Sequence, residues 1–385
     1  MDAGASLMRI GLGATVLARG LAHQQLDGIG YYTQELAQRL ISVGCEWRPV
    51  VFGATTLAHI GQCPIARLPS YSSAALMSAT TGGGFAGHRN LRGQIDLFHA
   101  TDHHIPRLPD IPVLATLMDA IPLSNPEWAN ARFRSFKNKL WRHAARWADH
   151  VVTISNYAKT QIIEHFDIPD HLISVVPLGV DQRFHDRIDL ATVQSVNQSY
   201  GLQRPYFLCI GTLQPRKNLQ RIMDAYQSLP RQVLHTHDLV IVGRNGWGSE
   251  DVVRRLQSLP ASSGIRWLGG IPDLNKRVLL QSATALVFPS LSEGFGLPVL
   301  EAFASQTPVI TSNTTSLPEI AADAALLVDP CDTQAIAHAM QQITDNPSQA
   351  AQLRHQALVR VQQYNWQTCA KKTADIYQSM LGLTP

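Results

Sequence analysis

The chain has 385 residues, 45% of them hydrophobic and 16% charged, and carries a net charge of +3. That length exceeds one ordinary hydrophobic core and predicts two domains, while so small a charge does not point to nucleic acid as a partner. The five cysteines (Cys45, Cys63, Cys209, Cys331 and Cys369) show no paired metal-ligand spacing and fit reduced thiols in the cytoplasm, and no apolar run is long enough to span a membrane.

The first apolar run, residues 8–16, reads as a buried strand. A signal-peptide core is the weaker reading, because Asp2 lies where a basic leader belongs and Gly11-Leu12-Gly13 interrupts the run. Then come Asp27-Gly28-Ile29-Gly30, expected in a loop, and helical periodicity over 31–43 closed by Gly44. Gly11 and Gly13 lack the third glycine of the dinucleotide fingerprint, and Gly28-Ile29-Gly30 comes late after the strand. Both points count against a nicotinamide oxidoreductase.

Strand-like runs recur at 47–52, 95–100, 113–117, 151–154 and 172–176, with helical stretches at 132–147 and 156–166 and Ser155 as an N-cap. The alternation predicts a doubly wound sheet. Residues 70–87, rich in Ser, Ala, Thr and Gly, read as mobile, with acceptor contacts and disorder both open. Two strand ends carry polar groups: Thr101-Asp102-His103-His104, and Met118-Asp119. His103 and Asp119 are the candidates there for handling an acceptor.

Arg132, Arg134, Lys137, Lys139, Arg142 and Arg146 form a basic cluster with no acid between Glu127 and Asp149. Phe133, Phe136, Leu140, Ala144 and Trp147 fall at helical spacing and read as a core-facing stripe. The basic flank is either a solvated face or a contact for anionic headgroups or a lipid diphosphate.

Residues 183–204 are polar with no clear strand, which places the domain boundary there and divides the chain into 1–182 and 200–364. An apolar run at 206–210 leads into Gly211-Thr212-Leu213-Gln214-Pro215-Arg216-Lys217-Asn218 and a helix to Leu229. Adjacent cations between a strand end and a helix start suit a diphosphate, with Arg216 as a fork and Lys217 as a point charge. Further strands at 239–242, 265–268, 285–288, 308–310 and 325–328 make a second doubly wound sheet.

The densest signal is the stretch 285–304. An apolar strand ending at Pro289 is followed by Glu293-Gly294-Phe295-Gly296-Leu297, and Pro298 sits at a first helical turn. Two glycines permit close backbone approach, and free N–H groups at the helix start favour an anion, so this is a phosphate site. Glu293 and Glu301 add a carboxylate pair suited to sugar hydroxyls.

That stretch resembles the Glu-x7-Glu motif of the retaining family-4 glycosyltransferases, whose two-domain fold is called GT-B. Asp27-Gly28-Ile29-Gly30 is similar to the family's Gly-Gly-x-Gly loop with Asp27 in place of the first glycine, and Pro215-Arg216-Lys217-Asn218 resembles its Pro-x-Lys-Asn region. The resemblance covers nearly the whole chain and implies an α/β fold of two doubly wound, Rossmann-like domains facing a central cleft. A C-terminal helix, residues 365–385, is expected to cross back to the first domain.

By position, the resemblance implies that Glu301 holds the nucleotide ribose and Glu293 the donor hexose. The Gly294, Phe295, Gly296 and Leu297 amides bind the diphosphate with Arg216 and Lys217, and Gly28, Gly30 and Thr212 complete the donor side. Many members have His-Asp-x-x-Pro where this chain has Met118-Asp119-Ala120-Ile121-Pro122, so no His acts at that position. Gln214 and Ser305-Gln306-Thr307-Pro308 also depart from the usual residues.

The expected reaction moves a hexose, mannose from GDP-mannose being the leading choice, to a hydroxyl of a glycan or lipid-linked acceptor in bacterial surface polysaccharide synthesis. UDP- or dTDP-sugars are the alternative donors, and a catalytically silent sugar-nucleotide-binding protein is the alternative to an enzyme. No Asp-x-Asp occurs, so neither a metal nor a cofactor is expected. The expected location is the cytoplasm, with peripheral contact at the cytoplasmic face of the inner membrane left open.

Overall fold

The structure, a computed structural model, describes residues 7–128 and 134–383. They form two compact units, one drawn from residues 1–124, 131–179 and 366–385, the other from 125–130 and 180–365.

In the first unit the strands are β1 (Met8–Gly13), β2 (Cys45–Phe52), β3 (His59–Ile60), β4 (Cys63–Pro64), β5 (Ala66–Leu68), β6 (Leu97–Ala100), β7 (Val113–Thr116), β8 (His150–Thr153) and β9 (Ile173–Val175). Seven of them make a parallel sheet in the order β5-β2-β1-β6-β7-β8-β9, and β3 and β4 pair as a separate hairpin. Both faces are covered: every residue of β6 and β7 is buried, which is why these strands read as continuous apolar runs rather than alternating ones. The order reverses between β1 and β6, so the loops after β1, β6 and β7 gather at the carboxyl edge where such sheets bind ligands.

The second unit repeats the plan with β10 (Tyr206–Ile210), β11 (Asp238–Val242), β12 (Ile265–Trp267), β13 (Ala285–Phe288), β14 (Val309–Ser312) and β15 (Leu326–Val328), ordered β12-β11-β10-β13-β14-β15 and parallel throughout. Its core joins the sheet to the helices Leu219–Gln227 and Thr333–Asp345 through Met223, Tyr226, Ile336 and Met340.

Several expectations are corrected. The first strand stops at Gly13, and residues 15–22 are a helix burying Val16, Leu17 and Ala18. A Cβ at Gly13 would lie 3.2 Å from His99 O, so glycine lets β1 approach β6. Gly28 and Gly30 do not lie in a loop; they form the first turn of the helix Gly28–Leu40, because Asp27 caps it by accepting from the Gly30 N–H at 2.8 Å. Within residues 70–87, read as mobile, Tyr71–Thr81 is a helix that buries Ala74, Ala75 and Ser78 and ends at Gly82 with φ +69°, and 82–87 lack regular structure. The polar stretch 183–204 holds the helix Leu190–Ser199, N-capped by Asp189, and belongs to the second unit, which the chain enters at Val180.

On the basic helix Arg134–Ala145, Ala144 is buried but Phe136 is 53% exposed and so is not core. Arg132 and Phe133 lie outside the described residues. The last helix, Trp366–Met380, packs in the first unit, with the Trp366 ring edge-on to Tyr31 at 5.8 Å. Beneath it, His99 Nδ1 lies 2.6 Å from the Tyr377 hydroxyl and its Nε2 2.7 Å from Thr116 Oγ1, which also bonds Tyr32. Complete burial drives the His99 pKa down to about 3 and keeps the ring neutral.

Candidate active site

In the second unit, β10 and β13 are neighbours, so the loops that follow them emerge side by side. The first carries Arg216 and Lys217 in a short 3-10 turn, the second Glu293. Arg216 Nη1 donates to Glu293 Oε2 at 2.7 Å and Lys217 Nζ to Glu293 Oε1 at 2.5 Å, so both carboxylate oxygens are engaged by cations. Burial opposes the charge on Glu293, but Lys217 and Arg216 outweigh it and hold the carboxyl at about 2. Burial lowers the Lys217 pKa, with Glu293 pulling the other way. The Lys217 ammonium also rests 4.5 Å from the centroid of the Phe288 ring.

The backbone fixes this cluster. Leu291 N–H donates to Arg216 O at 2.8 Å, and Asn218 Nδ2 reaches Pro289 O at 2.9 Å and Pro330 O at 2.7 Å, stitching three strand-end loops together. Asn218 holds φ +61°, a left-handed conformation that asparagine tolerates better than most residues. The buried Ser316 hydroxyl lies 2.9 Å from Glu293 O and 2.8 Å from Phe295 O, pinning the glycine loop from below. Gly296 precedes the helix Leu297–Ala304 at φ +120°, where an added Cβ would meet Leu317 Cδ2 at 2.8 Å. Glycine is therefore required twice there, by conformation and by space.

Glu301, one turn into that helix, does not join the Arg216–Lys217 cluster. Its Oε1 accepts from Lys276 Nζ at 2.7 Å, and burial raises its pKa against the pull of Lys276. Gly294, Phe295 and Leu297 lie on the same loop-to-helix turn, Phe295 buried with its ring edge-on to Tyr364 at 5.9 Å. Thr212 is exposed on the loop after β10.

In the first unit, His103 is exposed after β6, its pKa lowered by partial desolvation and by His104. Asp119 Oδ1 accepts from Ile121 N at 3.0 Å and so caps the short helix Ile121–Ser124. Asp102 is buried; its Oδ1 accepts from the His104 main-chain N–H at 2.7 Å and lies 2.8 Å from His104 Nδ1. Burial raises the Asp102 pKa, but His104 and His103 outweigh it and leave the carboxyl below its ordinary value.

Lys276 and Ser316 were not singled out by sequence reasoning, and Asp102 and His104 were read only as part of a polar strand end, without their pairing. Lys276 acquires its partner through the fold, whereas Ser316 stands in a Ser-Leu-Pro-Glu run.

Residues 195–360 match the family described as Glycosyl transferases group 1, and residues 26–184 match Glycosyltransferase Family 4. Among curated proteins, the O-antigen chain mannosyltransferase B of Escherichia coli is 33% identical over 286 residues, covering 73% of this chain and 74% of that protein. Among solved structures, sucrose-phosphate synthase from Thermosynechococcus elongatus superposes with a TM-score of 0.76 at 19% identity over 98% of this chain and 100% of that one. The Anabaena HepE protein in complex with UDP and glucose gives a TM-score of 0.74 at 16% identity over 97% and 100%. These likenesses show a shared two-domain α/β fold.

Proposed function

Because this chain belongs to the family-4 glycosyltransferases, we propose that it moves a hexose from a nucleotide diphosphate sugar to a glycan or lipid-linked hydroxyl, with retention of anomeric configuration. The observation that carries the reading is the clasp of Arg216 and Lys217 on Glu293 beside the Gly296–Leu297 helix start. Two cations and one carboxylate leave a single net positive charge, and Glu293 stands three residues before the helix-start turn at Gly296, which suits a leaving diphosphate.

As the glycosidic bond breaks, negative charge grows on the diphosphate. Groups already held in place stabilise it without reorganising at the moment of reaction. A carboxylate has about four lone-pair sites and Glu293 uses two on its cations, leaving capacity for a sugar hydroxyl. Glu301, held by Lys276, is the ribose acceptor in this reading. Thr212 flanks the donor in this reading, and the departing phosphate takes the acceptor proton; in the first unit, Gly28 and Gly30 are assigned to the donor and Asp119 and His103 to the acceptor.

The donor we favour is GDP-mannose and the product a surface polysaccharide; the name of the E. coli relative supports mannosyl transfer to an O-antigen chain, and the choice of GDP is our own. The UDP held by the Anabaena protein keeps UDP-sugars as the competing choice. No metal is needed to bridge the diphosphate in this scheme, since the cations and amides supply the charge.

A thermal-shift panel of GDP-, UDP- and dTDP-sugars on the wild type and on Glu301→Ala tests the reading, followed by a transfer assay with the best donor. Stabilisation by one nucleotide class that the variant loses is expected. No response to any nucleotide sinks it, and binding without transfer to any acceptor or to water leaves a silent binding protein.

A peripheral membrane contact belongs to the same reading. Leu76 and Met77 are 43% and 48% exposed, and Leu76, Phe136, Lys139 and Arg146 line a groove of about 420 Å³ rimmed by further basic side chains. Apolar side chains among Lys and Arg suit an anionic lipid surface. No described helix is long and apolar enough to cross a membrane. Co-sedimentation with vesicles containing phosphatidylglycerol, lost in a Phe136→Ser, Lys139→Glu variant, is the expected result; equal recovery of both proteins removes the contact.

A further inference from the structure

Asp102, His103 and His104 follow β6 at the carboxyl edge of the first sheet, and one ligand atom from each lies within 4.8 Å of the others. We propose that these three side chains bind a divalent transition cation, Zn²⁺ being the ion their chemistry suits. The inference does not depend on the transfer reaction.

The donor set comes first. Two imidazoles and a carboxylate are the nitrogen and oxygen ligands that zinc takes, and three protein ligands leave a fourth position for water. At zinc–ligand bonds of about 2.1 Å, tetrahedral ligand atoms stand about 3.4 Å apart. The cluster is therefore slightly open, and His103 is the exposed member that can rotate to close it.

The second observation is independent of that spacing. Asp102 is only 3% exposed, and its Oδ2 is buried with no hydrogen-bond partner among the described residues, whereas its Oδ1 is fully used by His104. A buried carboxylate oxygen left unpaired is costly, and a cation satisfies it.

The pair is also preorganised. His104 is held by its own backbone bond to Asp102 and by Tyr71, whose ring stands edge-on to it at 4.8 Å, while the His103 ring lies 4.2 Å from the His104 ring. Tyr71 is itself fixed by its hydroxyl donating to Ile105 O at 3.0 Å. Of the charged groups facing His103 across the loop, Asp27 adds to the attraction for a cation and Arg19 opposes it.

A packing role for the two histidines explains the stacking of His104 but not the unpaired Asp102 oxygen.

The test uses untagged full-length protein. Zn²⁺ binding is measured by calorimetry against a competing chelator, and Co²⁺ binding by its visible absorption. The expected result is one saturable site per chain that His103→Ala and Asp102→Asn each weaken by about tenfold or more. Cys331→Ser, which removes an exposed thiol, should leave it unchanged. Affinity should fall with acid, because protons compete with the metal for the imidazole nitrogens. If Asp102→Asn fails to fold by circular dichroism, His103→Ala and His104→Gln decide. Unsaturable uptake, or a site that survives these substitutions, overturns the proposal.

Discussion

At Glu293 one buried carboxylate serves two cations, and its charge matters to folding as much as to any ligand. Glu293→Gln would leave Lys217 buried without a counter-charge, and the expected cost is about 3 kcal/mol in urea unfolding, with donor binding weakened in parallel. Among the groups that acid should disturb, Glu293 and His99 are two with large shifts. Glu293 has a folded pKa of about 2 against an ordinary 4.5, so its stabilisation is complete above pH 4.5 and is lost as pH falls toward 2. His99 acts earlier: between pH 6.5 and about 3 the unfolded chain takes up a proton that the buried ring refuses. Stability should therefore decline below pH 6.5 by at most about 1.4 kcal/mol per unit from this group. Denaturant midpoints at pH 7, 5.5 and 4 would check it, and a flat profile would contradict it. The sequence made Arg216, Lys217 and Glu293 visible because each stands in a short local motif. It hid Lys276 as the partner of Glu301, since an ion pair formed by folding between distant residues leaves no spacing to read.

At the scale of elements, the turn before Leu297–Ala304 is constrained both by its positive φ and by the packing of Leu317. Gly296→Ala would force a Cβ onto Leu317 at a φ that alanine avoids; a loss of about 1–3 kcal/mol and weaker nucleotide binding are expected from melting curves with and without donor. Most strands were legible because both faces of each sheet are covered, making long apolar runs. The helix Tyr71–Thr81 was not, because it buries only the small side chains Ala74, Ala75 and Ser78 and so shows no apolar periodicity. Thr15–Ala22 was hidden for the opposite reason: its buried Val16 and Leu17 continue the apolar run of β1 without a break. The start of Gly28–Leu40 was misplaced because two glycines outweighed the capping aspartate beside them.

For the molecule as a whole, the two sheets have separate cores. A nucleotide donor should slow hydrogen exchange in residues 211–218 and 289–301 and leave β1 to β9 largely unchanged, a pattern that mass spectrometry can resolve. Ending the chain after Asn365 should unfold the first unit, because Trp366, Cys369, Ala370, Ala374 and Tyr377 are all buried in it and His99 loses its Tyr377 partner. Limited proteolysis should then spare a fragment near 180–365. The two-domain plan was readable from the repeated strand-and-helix pattern and the final helix from its spacing. The end of the first unit at Gly179 was read to within three residues, at 182, but the second was started late, at 200, because polar composition at 183–204 looks like a linker even where Asp189 starts a helix. The route of the chain also sets the order of assembly on the ribosome. Between Gly179 and Trp366 lie 186 residues, which take roughly 10 to 40 seconds to translate. Throughout that interval the nascent first unit has an open seat over His99 and Tyr32, making it a client for chaperones, and a premature stop codon even twenty residues from the end should yield a protein that is degraded rather than one that is merely shorter.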